Sequence, residues 1–220
     1  MVELSDFAPL CLLLPFVIGG TLIYITFRRK ARRAAKARAW AERHGFAYRE
    51  FDGGLLELVS FDPFDKNRGR RVQNVLRGEH RGEPVLIFEY EEGQGNEKRK
   101  YRRWQVVAVP LPKPVPMLDV AEETKATRAL VKDIEFENQA FNDRFRIRST
   151  DRRFAFDVVH ARTMEWMLTD PRVRELGWRF AESWLMTFRE GEADHDERLA
   201  RVDVLRKIRA QVPPHVWSDS

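Results

Sequence analysis

From Phe7 to Phe27 the chain runs for 21 residues without a charged side chain, and Arg28 opens a basic segment directly after it. As a helix rising ~1.5 Å per residue, such a run reaches ~32 Å, enough to cross a ~30 Å hydrocarbon layer. Pro9, Pro15 and the Gly19-Gly20 pair would weaken a helix in water but are tolerable in lipid, with a kink near Pro15. A buried core helix rarely lacks a polar face over this length. A cleaved signal peptide fits poorly, because the residues before the run are acidic and its length exceeds the usual 7–15. An interfacial amphipathic helix would need a charged face. The expectation is a single transmembrane helix over 7–27.

Charge then sets a direction. Of the formal net charge of +5, residues 28–38 contribute +7 and residues 1–27 contribute −2, which leaves 39–220 neutral. The basic balance therefore belongs to Arg28, Arg29, Lys30, Arg32, Arg33, Lys36 and Arg38 and not to a broad nucleic-acid-binding face. A basic collar after a span stays in the cytoplasm. That predicts an inner-membrane protein with its N-terminus outside and its main domain in the cytoplasm. The same seven residues are the candidates for contact with anionic head groups of a bilayer. The alanines among them favour a juxtamembrane helix over 28–44, stopped by Gly45. Cys11 is the sole cysteine, so no internal disulfide is available.

After Gly45 the pattern predicts an α+β domain over 45–212, an antiparallel sheet with several packed helices, followed by a tail over 213–220. Strands are expected over 46–51, 72–80, 85–91 and 101–109, with a short element at 55–59. In the strand over 85–91, Leu86, Phe88 and Tyr90 share one face and Val85, Ile87 and Glu89 the other, as in a sheet with one well-buried face. Asp62 to Gly69 reads as a loop without the ligand ladder of a calcium site, and Gly93 to Asn96 as a hairpin turn. Pro110, Pro112, Pro114 and Pro116 forbid a central strand and suggest a stiff connector or an edge. Residues 120–133 are mildly helical. Helices are expected from a cap at Ser149, Thr150 or Asp151 through Phe154 and Val158, over 162–168, and over 194–211. Residues 178–183 and 184–188 read as a β pair.

The block Phe141-Asn142-x-x-Phe145, then Ile147 and Ser149-x-Asp151, with Met164 and Leu168 further on, resembles a family of bacterial membrane-anchored proteins containing a domain of unknown function. The match covers about thirty residues. It implies a bacterial host and assigns no functional residue.

Motifs that carry chemistry are missing. His44, His80, His160, His195 and His215 never pair at metal-ligand spacing. No nucleophile elbow, phosphate loop or dinucleotide fingerprint is present. The acids around His195 suit a helix start, and Asn142, Asp143, Ser149 and Asp151 suit turns and caps as readily as a polar site. Lys98 to Arg103, interleaved with Tyr101 and followed by Trp104, reads as a hairpin end balanced by Glu89, Glu91, Glu92 and Glu97. No catalytic, cofactor or metal residue is assigned. The expected role is a membrane-anchored binding or scaffold module of unknown function with an unidentified protein partner. A membrane-tethered enzyme, or nucleic-acid or anionic-lipid binding through the basic segments, are the alternatives, with nucleic acid disfavoured.

Overall fold

The computed structural model describes residues 8–61, 64, 68–93, 101–122, 134–174, 176–192 and 194–218; for residues 8–16 and 174 only the backbone is described. Helix α1 (Ala8–His44) is one continuous element of 37 residues. Strand β1 (Ala47–Phe51) follows the turn at Gly45, whose φ of +72° is the left-handed conformation glycine adopts without strain. A 3-10 helix (Gly53–Val59) leads to the meander β2 (Arg71–His80), β3 (Glu83–Gly93) and β4 (Tyr101–Glu122). Then come α2 (Gln139–Asn142), β5 (Phe145–Ser149), α3 (Arg152–Val158), α4 (Ala161–Thr169) and α5 (Pro171–Arg174). Strand β6 (Gly177–Glu190), α6 (His195–Gln211) and α7 (Pro214–Trp217) complete the order.

The sheet has six antiparallel strands. β3 pairs with β4 up to Ala108, β5 pairs with it from Leu118, and β6 runs along β4 from Trp104 to Val120. A strand has two edges, so β3 and β5 share one edge of β4 and β6 takes the other. The proline run lies between them, where β4 is paired on one side only and its register to β6 shifts. The prolines thus occupy edge-like positions inside a long central strand, because a residue lacking an N–H is tolerated where no neighbour needs one. This corrects the expected end of the strand at 109.

One face of the sheet carries the larger core, built from Ile87, Val107, Leu118, Trp178 and Phe180 beneath α1, α3, α4 and α6. The other face carries a smaller core of Val75, Phe88, Tyr90, Trp104 and Val106, closed by the 3-10 helix and Phe64. β3 is therefore buried on both faces, not on one, and apart from Pro84 every residue from Glu83 to Glu92 is buried. The expected β pair at 178–188 is a single strand. It bends at Glu182, whose φ is +52°, and the side-chain alternation changes phase there: Trp178, Phe180 and Leu185 face the larger core while Ala181, Trp184 and Met186 face the smaller one. The tail expected from 213 contains the short helix α7.

One expectation about α1 is overturned. Among the described residues no helix is long and apolar enough to cross a membrane. Its apolar side chains are described from Val17 to Phe27, about 17 Å of helix rise, and the helix then continues without a break into the basic residues. Of the stretch 120–133 expected to be mildly helical, 120–122 belong to β4; its remainder, Phe7, the side chains of 8–16, most of the loop 62–67, and Gln94 to Lys100 lie outside the described residues.

Candidate functional site

The most structured polar feature is the junction where the second half of α1 lands on the domain. Trp40 is 5% exposed. Its indole stacks on His44 (ring centroids 4.2 Å apart, planes at 17°) and on His195 (5.0 Å, 24°), and tilts against Phe46 at 5.1 Å. Trp40 Nε1 donates to Asp196 Oδ1 at 3.3 Å. One turn pair earlier, Arg33 reaches Glu192 at 2.9 Å. Helix α1 is thereby clamped to the start of α6.

Beneath the clamp lies a buried ionic layer. Glu89 and Glu91 continue the β3 face that begins with Val85 and Ile87, so their carboxylates are folded into the domain. Glu89 accepts from Asn74 Nδ2 at 3.0 Å and Arg198 Nη2 at 3.3 Å, with Arg103 at 3.8 Å. Glu91 accepts from Arg71 Nε at 2.9 Å and Arg103 Nε at 2.6 Å. The Tyr48 hydroxyl donates to Asn74 Oδ1 at 3.0 Å, and Arg103 also holds Glu192 at 3.1 Å. Charges at this depth are retained only when paired, and the layer ties β1, β2, β3, β4 and α6 to α1 through Glu192.

The environment sets protonation. Burial, reinforced by the Arg198 guanidinium, pushes the His195 imidazole down to about 4, and its buried Nδ1 has no hydrogen-bond partner among the described residues. The ring is neutral at neutral pH. The hydrogen bond from Arg33 holds the Glu192 carboxyl below the usual range. A cavity of about 440 Å³ between α1 and α6 is lined by Arg33, Lys36, Glu192, His195 and Arg198 among others.

The seven basic residues do not form one lipid-facing surface. Lys30 lies over the Phe51 ring at 4.8 Å, Arg38, itself exposed, over Tyr48 at 5.3 Å and Arg33 on Glu192, all turned toward the domain. Arg28, beside Tyr24, and Arg29, Arg32 and Lys36 are exposed. The basic run before Trp104 is only partly described: Arg102 pairs with Glu190 at 2.6 Å and Arg103 is consumed by the ionic layer.

The polar block 138–151 serves the backbone. Asn138 and Asp151 cap α2 and α3, accepting from Phe141 N and Phe154 N. Asn142 bonds both backbone groups of Phe136. Asp143 accepts from Gln139, and Ser149 donates to the Met117 carbonyl. The acids flanking His195 are not cap ligands; Asp196 takes Trp40 and Glu197 takes Arg189 and Arg201. Trp40, standing at the end of an alanine-rich basic helix, packs on the domain that the helix lands on. Among the described residues no cluster of His, Cys, Asp and Glu could hold a metal.

Comparison with known proteins places this architecture. The family model described as trehalose monomycolate transport factor TtfA matches residues 3–100. Trehalose monomycolate transport factor A of Mycolicibacterium smegmatis (strain ATCC 700084 / mc(2)155) is 32% identical over 77 residues, 35% of this chain. The matched stretch spans 28% of that relative's length. The crystal structure of the mycobacterial trehalose monomycolate transport factor A, TtfA, matches with a TM-score of 0.56 at 20% identity, over 82% of this chain and 96% of that one. The two share a fold. The matches fall in a characterised family, which corrects the expected domain of unknown function. They also displace the expected scaffold module of unknown function. The family match covers α1 through β3, upstream of the Phe141–Leu168 block on which the resemblance rested.

Proposed function

We propose that this chain is a trehalose monomycolate transport factor that works at a membrane. The observation that carries the reading is the family match over residues 3–100, which takes in the apolar start of α1, the basic collar, Trp40 and the first three strands. The physical arrangement supports it. Val17, Ile18, Leu22, Tyr24 and Phe27 are all more than half exposed, an apolar surface that water disfavours and lipid accepts. Arg28, Arg29 and Arg32 follow on the exposed helix, where each basic side chain near an anionic cytoplasmic leaflet contributes about 1 kcal/mol. The clamp then fixes the domain at a set distance from that surface, raising its effective concentration for a membrane-borne glycolipid.

The test is complementation. Expressed in Mycolicibacterium smegmatis lacking its own trehalose monomycolate transport factor A, the chain restores delivery of trehalose monomycolate to the cell envelope, read by radiolabelled lipid analysis of surface-extracted material. An expressed, membrane-recovered chain that leaves the lipid trapped would refute the reading.

A further inference from the structure

The clamp occupies one face of the sheet. Among the described residues the opposite face is covered by the 3-10 helix and Phe64, and its small core opens at one end. There Leu58, Phe61, Ala181 and Trp184, all half-buried, surround a cavity of about 490 Å³, within the range that holds small ligands. The opening exists because the sheet is irregular at this point. β4 and β6 lose register between Pro110 and Val115, and Val115 is opposed by Glu182, held at φ +52°. A left-handed conformation is costly for a residue with a long side chain, and here it turns a carboxylate to the rim of the cavity.

The rim chemistry is specific. Glu57 and Glu182 both line the cavity, and among the described residues neither carboxylate takes an ion pair or a hydrogen bond. Among the acids that are buried or half-buried elsewhere, Glu83, Glu89, Glu91, Asp119 and Asp170 each hold an arginine. The Arg179 guanidinium stands 3.7 Å over the Phe61 ring and 3.6 Å from Asp119, which stiffens the aromatic wall.

These features select among ligand classes. Arg179 also lines the cavity but faces Asp119, so the two free carboxylates leave the lining net negative and repel an anion. An acyl chain passing over them would strip their water with nothing in return. A polyhydroxylated ring satisfies both parts: its C–H face lies on Phe61 and Trp184, and its hydroxyls donate to the carboxylates, which are acceptors only when ionised. We propose that this cavity binds a neutral sugar ring, namely the trehalose head group of the transported glycolipid. The identity of the sugar rests on the transport reading; the class of ligand rests on the cavity alone. With the head group here and α1 on the other face of the sheet, the domain lies between its lipid-facing helix and its cargo's sugar.

The experiment uses the full chain in a detergent without a sugar head group and trehalose as the probe, followed by saturation-transfer NMR and by tryptophan emission. Trehalose binds the wild-type chain. The Glu57→Gln/Glu182→Gln variant, whose changes are at exposed positions, weakens binding at least tenfold with its circular dichroism unchanged, and Trp184→Ala does the same. No trehalose signal, or equal binding by the double carboxamide variant, overturns the site. The complementation assay separates the two claims. A chain that restores transport while ignoring trehalose keeps the function and loses the site; one that binds trehalose through Glu57 and Glu182 yet restores nothing keeps the site and loses the function.

Discussion

Trp40 lies between two imidazoles, His44 of its own helix and His195 of α6, and donates its indole N–H to Asp196 beside the second. A single side chain thus joins the helix that carries the apolar stretch to the last long helix of the domain, 155 residues later in sequence. Truncation there removes a buried aromatic whose loss in a core costs about 3–5 kcal/mol. Trp40→Ala is expected near the low end, because α1 can detach while the sheet stays folded. Limited proteolysis should show new cutting between Arg28 and Gly45, with the 45–218 fragment resistant. Unchanged protection of that segment would mean Trp40 is not the clamp.

The same contact has a pH signature. The folded state holds the His195 imidazole depressed to about 4 from its ordinary 6.5, chiefly by burial and then by Arg198, against the opposing pull of Asp194, Glu89 and Asp196. A depressed histidine binds fewer protons folded than unfolded, so its contribution is fully present above about 6.5 and is lost as pH falls toward 4. Urea midpoints measured at pH 7.5 and pH 5 should therefore fall for the wild-type chain. The His195→Gln variant should show a smaller decline across that interval. An equal decline in both would assign it to other groups.

Glu89 and Arg198 make the energetics of the ionic layer testable. Both side chains are under a tenth exposed, so removing one partner strands the other in a low-dielectric interior. Glu89→Ala should cost about 3–5 kcal/mol by denaturant unfolding. Replacing both, as Glu89→Met with Arg198→Met, should recover much of that loss, since two apolar side chains need no partner. A double variant as unstable as the sum of the single ones would show that Asn74 and Arg103, not Arg198, supply the decisive contacts to Glu89.

The exposed collar residues predict how lipid binding responds to charge. Arg28, Arg29 and Arg32 reversed together to glutamate should cut binding to anionic vesicles by roughly two to three orders of magnitude, at about 1 kcal/mol or more per site. Binding to neutral vesicles, carried by Val17 to Phe27, should change little, and added salt should narrow the difference. Reversal of Lys30, Arg33 and Arg38, which face Phe51, Glu192 and Tyr48, should instead damage the clamp. Equal effects from the two triplets on vesicle binding would erase the distinction.

Much of the fold was legible because local chemistry and tertiary structure agree. The apolar runs of β2 and β3, the Asp151 cap and the stripe of Val202, Leu205 and Ile208 on α6 each encode their element within a few residues. Two kinds of feature were not. Strand β4 runs through Pro110 to Pro116 because β3 ends at Ala108 and β5 begins at Leu118, a matter of partners distant in sequence. Glu89 and Glu91 read as charges balancing a hairpin end, because a charged residue says nothing of the counter-charge that will bury it. The candidate site suffered most from this, since Asp196 and His195 reach Trp40 only through the chain's return after six strands. The length of the apolar run at 7–27, measured against bilayer thickness, led to a span that the described helix does not supply.

Glu182 supplies the last prediction, because its backbone and its side chain pull in opposite directions. A non-glycine residue at φ +52° carries about 1–2 kcal/mol of steric cost that glycine avoids. Its carboxylate is exposed and unpaired among the described residues, so stability alone gives no reason to keep it. Glu182→Gly should raise the unfolding free energy by up to about 1 kcal/mol, the relief of strain being partly offset by the greater freedom of glycine in the unfolded chain. The same substitution removes an acceptor from the rim of the aromatic cavity. A variant that unfolds at higher denaturant but binds trehalose more weakly is the expected result, the pattern of a strained residue retained for what it contacts. Should Glu182→Gly lower stability, the strand bend must depend on the side chain itself, and the strain argument for this position falls.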